Sequence, residues 1–185
     1  MVLQDAIFNR RSVRQYAEEE IDETTIRQLI SAAIQAPNAV NEQPWRFIVV
    51  RDRKVLERIS REAKAHTLTA MPKQHEERFR ELLSGPAFDI FYHAPALVVI
   101  SGRAQEPWIV EDCAMAAQNL MLAAFAEGLG TCWIGFAQGY LGTPAGKAAL
   151  GAPEAWLPVA PIVVGRPAAS PPPVARLELE ICWID

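Results

Sequence analysis

The residue types best suited to chemistry lie near the N-terminus, in the segment Arg10-Arg11-Ser12-x-Arg14. Its guanidinium groups and hydroxyl offer several donors to a dianionic phosphate, and each charge-assisted hydrogen bond is worth about 1.5–3 kcal/mol. Guanidinium also matches phosphate in a bidentate geometry that an ammonium group lacks. A solvated basic face is the alternative, since short runs of arginine are common. The segment alone indicates a phosphate site and leaves that alternative open.

A second polar motif lies between Pro37 and Pro44, where Asn38, Asn41 and Gln43 supply amide donors and acceptors. A planar heterocycle with alternating carbonyls and ring nitrogens requires partners of this type. An ordinary turn between a helix and a strand has a similar composition, so the motif by itself favours neither interpretation.

A third motif, GLGTCWIG at residues 128–135, superficially resembles a glycine-rich dinucleotide fingerprint. That fingerprint requires a strand before the glycines and a helix after them. Here a predicted helix comes first and no helix is expected afterwards, so binding of pyrophosphate at a helix N-terminus is excluded. The glycines instead predict a close approach of the backbone to a flat ligand.

Composition limits the class of protein. Half of the 185 residues are hydrophobic and 22% are charged, as in a single globular domain, here residues 1–185. The net charge of −4 gives no indication of nucleic-acid binding. We find no apolar run near the roughly 18–20 residues of a membrane-spanning helix. Three cysteines without metal-ligand spacing favour a reduced, cytoplasmic protein without a metal site.

Hydrophobic periodicity predicts the elements that position these motifs. A short helix over residues 2–9 directly precedes the arginines. A second helix begins at the N-cap Asp22 and continues to Pro37. Residues 53–83 have helical periodicity that is interrupted near Met71-Pro72, which indicates surface helices or a mobile excursion. The remaining predictions are helices over residues 111–127 and 142–150, strands over residues 45–51, 95–101 and 157–165, and a short strand or loop over residues 131–135.

The C-terminal residues have their own pattern. A stiff arm at Pro171–Pro173 leads into residues 177–185, LELEICWID, where apolar and polar side chains mostly alternate. This pattern predicts a terminal strand, which requires a sheet edge. The sheet of a partner subunit and that of the same subunit are equally acceptable on pattern alone.

In combination, the motifs RRSxR, APNAxNxQPWRF and GLGTCWIG, in this order, closely resemble the nitroreductase family over nearly the whole chain. The resemblance implies an α+β fold of three layers, with a central, mostly antiparallel sheet flanked by helices. It also implies an intertwined homodimer with an exchanged C-terminal strand and one FMN at each end of the subunit interface.

The same resemblance assigns the arginine segment to FMN. Arg10 and Ser12 would bind the phosphate, Arg11 the phosphate and ribityl region, and Arg14 the pyrimidine edge of the ring. A cation at that edge would stabilise the anionic reduced flavin. The other cofactor is NADH or NADPH, and no separate domain for it is visible.

The remaining assignments come from the other motifs. The family's amide loop, which would contact the flavin bound chiefly by the other subunit, maps to Pro37, Asn38, Ala39 and Asn41. The isoalloxazine would lie against the backbone of Trp133, Ile134 and Gly135, with an N–H directed at N5. A basic residue near the C-terminus would close on the phosphate; Arg176 fits best and Arg166 is a second candidate.

The function implied is a two-step transfer in which NAD(P)H gives a hydride to FMN, leaves, and is replaced by a nitroaromatic or quinone acceptor. No side-chain general base is required. Different reactions with the same cofactor are azoline dehydrogenation, reductive dehalogenation and flavin fragmentation, between which residues 53–93 and 136–146 would decide. Two non-enzymatic interpretations are a flavin-binding module without turnover and a structural domain without flavin.

Overall fold

The computed structural model describes residues 2–71 and 77–184. Helices and strands alternate irregularly along this part of the chain, and a short 3₁₀ turn covers Ala39–Asn41. The elements are α1 (Leu3–Asn9), α2 (Glu23–Ala33), β1 (Arg46–Val50), α3 (Arg53–Ala70), α4 (Glu77–Ser84), β2 (Ala96–Arg103), α5 (Ile109–Ala126), β3 (Gly130–Trp133), α6 (Gly135–Leu141), α7 (Pro144–Leu150) and β4 (Trp156–Gly165).

The four strands form one antiparallel sheet in the order β1-β2-β4-β3. Successive side chains of a strand point to opposite faces, and β2 shows this clearly because Val98 and Ile100 join one buried cluster whereas Leu97 and Val99 join the other. Helices α2 and α5 cover the first face, and α3 and α6 contribute to the second. The predicted three-layer α+β fold is therefore confirmed.

Local signals account for most element boundaries. The Asp22 carboxylate accepts a hydrogen bond of 2.9 Å from the Thr25 N–H and begins α2, as its N-cap pattern predicted. Gly128, at φ +73°, follows the end of α5 in the left-handed conformation that favours glycine. The helical interpretation of residues 53–83 is confirmed by α3 and α4, while Pro72 lies outside the described residues.

The prediction that no helix follows the GLGTCWIG glycines is wrong, because α6 begins at Gly135 itself. Two glycines in GFAQGYL give this segment a low helix propensity, so its local pattern favours a loop. Tertiary packing overrides that preference: Ala137 and Leu141 are fully buried against the second face of the sheet.

The expectation that no apolar run is long enough to cross a membrane is also corrected. The 18 residues of α5 have a mean hydropathy of 1.2, which by length and composition would allow a span. However, α5 carries Glu111 and Asp112 in its first turn, and it packs between α2 and the sheet. Its apolar character is that of a central core helix.

The predicted C-terminal strand is not formed within this chain. The last backbone hydrogen bond of the tail joins the Ala168 N–H to the Gln15 carbonyl at 3.0 Å, and no strand follows among the residues up to 184. Several apolar side chains of the tail are therefore exposed, because no sheet edge of the same chain receives them. They are Leu177, Leu179, Ile181, Trp183 and Ile184.

Candidate functional site

The turn after α5 places β3 beside the arginine segment. Ser12 pairs with Thr131 in a parallel bridge, and the Val13 N–H donates to the Thr131 carbonyl at 2.9 Å. A Cβ on Gly130 would lie 2.6 Å from the Val13 side chain, so only glycine permits this approach. Three residues beyond the segment, the Ala17 N–H donates to the Arg166 carbonyl at 2.9 Å. Backbone hydrogen bonds therefore hold the chain both within the arginine segment and just after it.

Because the segment is extended, its side chains alternate between two faces. Arg10, Ser12 and Arg14 each act to lower the pKa of the Cys132 thiol, so all three lie within electrostatic reach of it. Arg11 is directed differently, since its guanidinium donates to the carbonyl of Phe8 at 2.7 Å and so holds the end of α1.

Positive charge is concentrated around Arg10. Partial burial lowers the pKa of Arg10, and the nearby charges of Arg11 and Arg176 lower it further. Arg176 therefore lies within electrostatic reach of the cluster, whereas the Nε of Arg166 donates to Glu19 at 2.7 Å. Cations that repel one another in this way favour an anion in their midst. Of the two arginines proposed to close on the phosphate, Arg176 is the one whose charge reaches this cluster.

Two buried polar atoms beside the cluster have no hydrogen-bond partner among the described residues: Arg11 Nε and Thr131 Oγ1. Their residues line a cavity of about 260 Å³ together with Arg10, Phe125 and Ser170. Buried polar atoms are nearly always paired in folded proteins. Unpaired donors next to several cations fit a polar, anionic group such as a phosphate.

A second cavity, of about 200 Å³, lies at the end of β3 and the start of α6. Its lining contains all four residues assigned to the flavin ring, and three to which the sequence analysis gave no role in binding. The assigned residues are Arg14, Trp133, Ile134 and Gly135, and the additional ones are Tyr92, Cys132 and Phe136.

The backbone at this cavity is partly committed to the fold. The Ile134 N–H donates to the Pro161 carbonyl at 2.8 Å, so it is not free for a ligand. A Cβ on Gly135 would meet nothing within 4 Å, which leaves the peptide open to a flat molecule. By contrast, Gly128 serves the helix end and Gly130 the contact with Val13. Only Gly135 retains the predicted role of close approach.

The buried thiol of Cys132 lies between these features. Burial raises its pKa, although Arg14, Ser12 and Arg10 oppose the shift. The thiol is therefore protonated at neutral pH and is a poor nucleophile. This environment favours the interpretation of Cys132 as a packing residue.

The amide loop lies at the opposite end of α5. Asp112, in the first turn of that helix, accepts a hydrogen bond of 3.0 Å from the Ala39 N–H. Asn38 accepts one of 2.8 Å from the Gln43 N–H, which closes the loop on itself. Val40, at φ 44°, adopts a left-handed conformation that β-branched residues rarely occupy.

Pro37, Asn41 and Gln43 are exposed in this loop, whereas Asn38 is half-buried. Asn41 is also left-handed, at φ 56°. The indole of Trp45 donates to the Asp112 carbonyl at 2.9 Å and anchors the strand that follows. Asp112 lies in the first turn of α5, where an acidic residue is favoured by the helix dipole alone. Its role in holding a loop 73 positions away was missed because no local pattern indicates it.

Within one chain, the amide loop and the arginine segment lie far apart. Asp112 holds the loop, and Phe125 lines the cavity beside the arginines. These two residues are 13 positions apart on α5, which corresponds to roughly 20 Å at 1.5 Å per residue. The structure therefore does not bring all the predicted site residues together in a single subunit.

The fold and the site define a protein suited to a planar ligand that carries a phosphate. The profile of the Nitroreductase family matches residues 7–166. The chain therefore belongs to the nitroreductase family, a family of FMN-dependent NAD(P)H oxidoreductases, as its motifs predicted.

Individual relatives agree with this membership. A protein of Methanothermobacter thermautotrophicus, named for NADH dehydrogenase or NAD(P)H nitroreductase activity, is 35% identical over 167 residues, which is 90% of this chain and 78% of the relative. The 5,6-dimethylbenzimidazole synthase of Rhodospirillum rubrum is 31% identical over 180 residues, covering 88% and 81%. A Bacteroides fragilis nitroreductase crystallised with bound FMN has a TM-score of 0.83 at 26% identity, over 100% of both chains.

Proposed function

We propose that this protein is an FMN-dependent oxidoreductase that takes a hydride from NAD(P)H and passes it to a nitroaromatic, a quinone or a similar acceptor. The observation that carries the proposal is the cavity at Gly135, which Arg14 lines together with Trp133 and Ile134. A separate cavity beside Arg10 contains two unpaired buried polar atoms, Arg11 Nε and Thr131 Oγ1. Bound FMN supplies the redox chemistry, and the protein supplies binding, orientation and charge.

At one end of the site, Arg10 and Ser12 bind the FMN phosphate, with Arg11 toward the phosphate and ribityl region. The unpaired Nε of Arg11 supports this assignment. Arg176 closes on the same phosphate from the tail, because its charge already acts on Arg10. Arg166 is the weaker candidate, since it is engaged with Glu19.

At the other end, the flavin ring lies against the backbone of Trp133, Ile134 and Gly135. The N–H of Gly135, in the first turn of α6, has no acceptor among the described hydrogen bonds and can donate to the ring. Arg14 places a positive charge at the edge of the same cavity. No side-chain acid or base is needed for this chemistry.

We propose that the working form is a homodimer in which Pro37, Asn38, Ala39 and Asn41 complete the site of the partner subunit. The roughly 20 Å between the two ends of α5 supports this division. Val110 and Met115 on α5 are about half exposed, at 50% and 48%, as are several apolar residues of α1. Such a surface on a core helix is typical of a subunit interface. The apolar residues exposed on α1 and just before it are Val2, Leu3, Ile7 and Phe8.

The exchanged C-terminal strand remains part of this proposal. The edge of β3 is occupied by the arginine segment, so β1 carries the open edge of the sheet among the described strands. Beside it, Ile26, Ile30 and Val49 line a groove of about 310 Å³ that is mainly apolar. The exposed tail of a partner has the alternation and the apolar side chains to fill this edge.

The test is spectroscopic and kinetic. Purified protein should carry, or gain on addition of FMN, the absorption of bound flavin. It should then oxidise NADH or NADPH with a nitroaromatic or quinone acceptor by ping-pong kinetics, because donor and acceptor would share one face of the ring. A protein that binds no FMN, or one that requires both substrates at once, would contradict the proposal.

A second candidate keeps the flavin and changes the reaction. The similarity to a 5,6-dimethylbenzimidazole synthase favours flavin fragmentation over azoline dehydrogenation, dehalogenation and binding without turnover. Reduced FMN exposed to oxygen in the presence of the protein would be consumed in that case. Stable FMN with steady NAD(P)H oxidation would exclude both fragmentation and a module without turnover.

The cellular location that we propose is the cytoplasm. All three cysteines are free thiols, Cys113 and Cys132 being buried and Cys182 exposed. An exposed free thiol is typical of a reducing compartment.

A further inference from the structure

Tyr92 forms a wall of the ring cavity that the flavin assignments do not use. The central carbon of the Arg14 guanidinium lies 6.0 Å from the centroid of the Tyr92 ring, within cation–π range. Both residues line the cavity of about 200 Å³ at Gly135. Both also line a neighbouring cavity of about 600 Å³, so the pair lies between the two.

The turn that carries Tyr92 has an unusual backbone. Tyr92 and His93 are both left-handed, at φ 55° and 56°, a conformation that such residues rarely adopt. The Asp89 carboxylate maintains the turn by accepting from the N–H groups of Phe91 at 3.0 Å and of His93 at 2.9 Å. The surrounding structure thus enforces a conformation that places the ring of Tyr92 against Arg14.

Packing fixes the ring as well as the backbone. The rings of Phe88 and Tyr92 meet edge to face at 5.8 Å. Lys64 holds Phe88 in turn, because its Nζ donates to the Phe88 carbonyl at 2.7 Å. Burial raises the pKa of the Tyr92 phenol, and Cys132 adds to the shift while Arg14 opposes it. Tyr92 is therefore a neutral, restrained surface beside a long and otherwise exposed cation.

We propose that Tyr92 is the positioning residue for Arg14 and thereby helps to set the reduction potential of the flavin. This inference rests on the proposed function, in which Arg14 lies at the pyrimidine edge. An arginine side chain has many rotamers, and the ring face restricts Arg14 to the cavity. A cation held there stabilises reduced, anionic FMN more than neutral oxidised FMN. Without the ring, Arg14 is free to move into solvent.

The test is the midpoint potential of the FMN-loaded protein, measured by spectroelectrochemical titration. In Tyr92→Leu, the preference for reduced over oxidised FMN should fall about tenfold, which for a two-electron couple lowers the potential by about 30 mV. Tyr92→Phe keeps the ring and loses only the hydroxyl, which also interacts with Arg14, so it should retain most of the wild-type potential. The comparison variant Phe88→Leu removes the ring that meets Tyr92 edge to face but leaves Tyr92 in place, and it should shift the potential less.

A double-mutant cycle separates positioning from general damage. Arg14→Ala alone should lower the potential, and adding Tyr92→Leu should lower it no further. An unchanged potential in Tyr92→Leu, with a lowered one in Arg14→Ala, would overturn the inference and leave the proposed function intact. A wild-type protein that binds no FMN would overturn both. If Tyr92→Leu fails to fold, Tyr92→Met, which is unbranched and adaptable, takes its place with the same expectation.

Discussion

Two groups of predicted ligands lie near the two ends of α5: cationic arginines at one end and neutral amides at the other. Different contacts hold each group in place. At the C-terminal end, the arginine segment is attached to β3 by one bridge between Ser12 and Thr131 and by the hydrogen bond from the Val13 N–H to the Thr131 carbonyl. At the N-terminal end, the amide loop includes left-handed residues and depends on one carboxylate, that of Asp112.

This difference corresponds to the different roles of the two regions in the proposed site. Charged groups on a backbone segment that β3 holds in place provide strong binding of a phosphate. Amides in a strained loop provide specific hydrogen bonds to a heterocycle, but the loop conformation must be stabilised by another part of the chain. Because the two regions lie roughly 20 Å apart along α5, a shared site requires that each chain lend its loop to the other.

The largest effect is expected at the arginine end. Arg10→Ala combined with Ser12→Ala should weaken FMN binding by about 3–5 kcal/mol, since two bonds to a charged phosphate are lost. Flavin fluorescence titration measures the change. Arg27→Ala, which removes only the exposed ion pair with Glu23, is the matched control and should bind FMN normally. An affinity within about threefold of wild type in the double variant would remove the arginine segment from the site.

Deleting residues 171–185 tests the dimer that would bring the arginine segment of one chain to the amide loop of the other. If the tail joins a partner, the loss of several apolar side chains, each worth about 1.5–3 kcal/mol when buried, should raise the dimer dissociation constant by at least about a thousandfold. Sedimentation measures this constant. Glu178→Ala with Glu180→Ala alters the polar side of the alternation and should leave the dimer intact. A truncated chain that dimerises like wild type would contradict strand exchange.

A smaller effect is expected at the amide end. Asp112→Ala removes the acceptor of the Ala39 N–H, and the looser loop should weaken FMN binding about tenfold, or about 1.4 kcal/mol. Asp112→Asn retains a carbonyl oxygen at the same place and should lose less. Titration of both variants with FMN gives the comparison. Equal, wild-type affinity in both would show that the loop does not serve the flavin.

The smallest effect is expected at Cys132, which lies near the arginines without a proposed chemical role. Because burial raises its pKa, the thiol stays uncharged between about pH 6 and 8 and should contribute no titration to the rate there. Cys132→Ala should lower stability by about 1 kcal/mol and leave the pH profile of turnover unchanged. Disappearance of a titration step in the variant would instead identify a working thiolate.

Much of the arginine end was predictable from sequence because its determinants are local. The helix over residues 111–127, the strands over residues 45–51, 95–101 and 157–165, and the clustering of Arg10, Arg11, Ser12 and Arg14 all follow from short-range patterns. The amide loop shows the limit of such reasoning. Its conformation depends on Asp112, and the contact that fixes it joins distant parts of the chain.

The missed features have the same cause. Tyr92 and Phe136 lie in the ranges 53–93 and 136–146 named from the sequence, but only tertiary packing shows that these two side chains reach the ring cavity. Helix α6 forms despite two glycines because burial of its apolar side chains in the core stabilises it. The C-terminal segment has the pattern of a strand, but a single chain cannot show which edge it joins. Local chemistry was thus more predictable than the contacts that assemble it.

A complementation experiment tests the shared site most directly. One chain carries Arg10→Ala with Ser12→Ala, a second carries Asn38→Ala with Asn41→Ala, and differently tagged copies are co-expressed and purified as heterodimers. A shared site predicts one intact flavin site per heterodimer, formed by the arginines of the second chain and the loop of the first, with wild-type FMN affinity and half the wild-type occupancy. Heterodimers that contain no site of wild-type affinity would contradict the account.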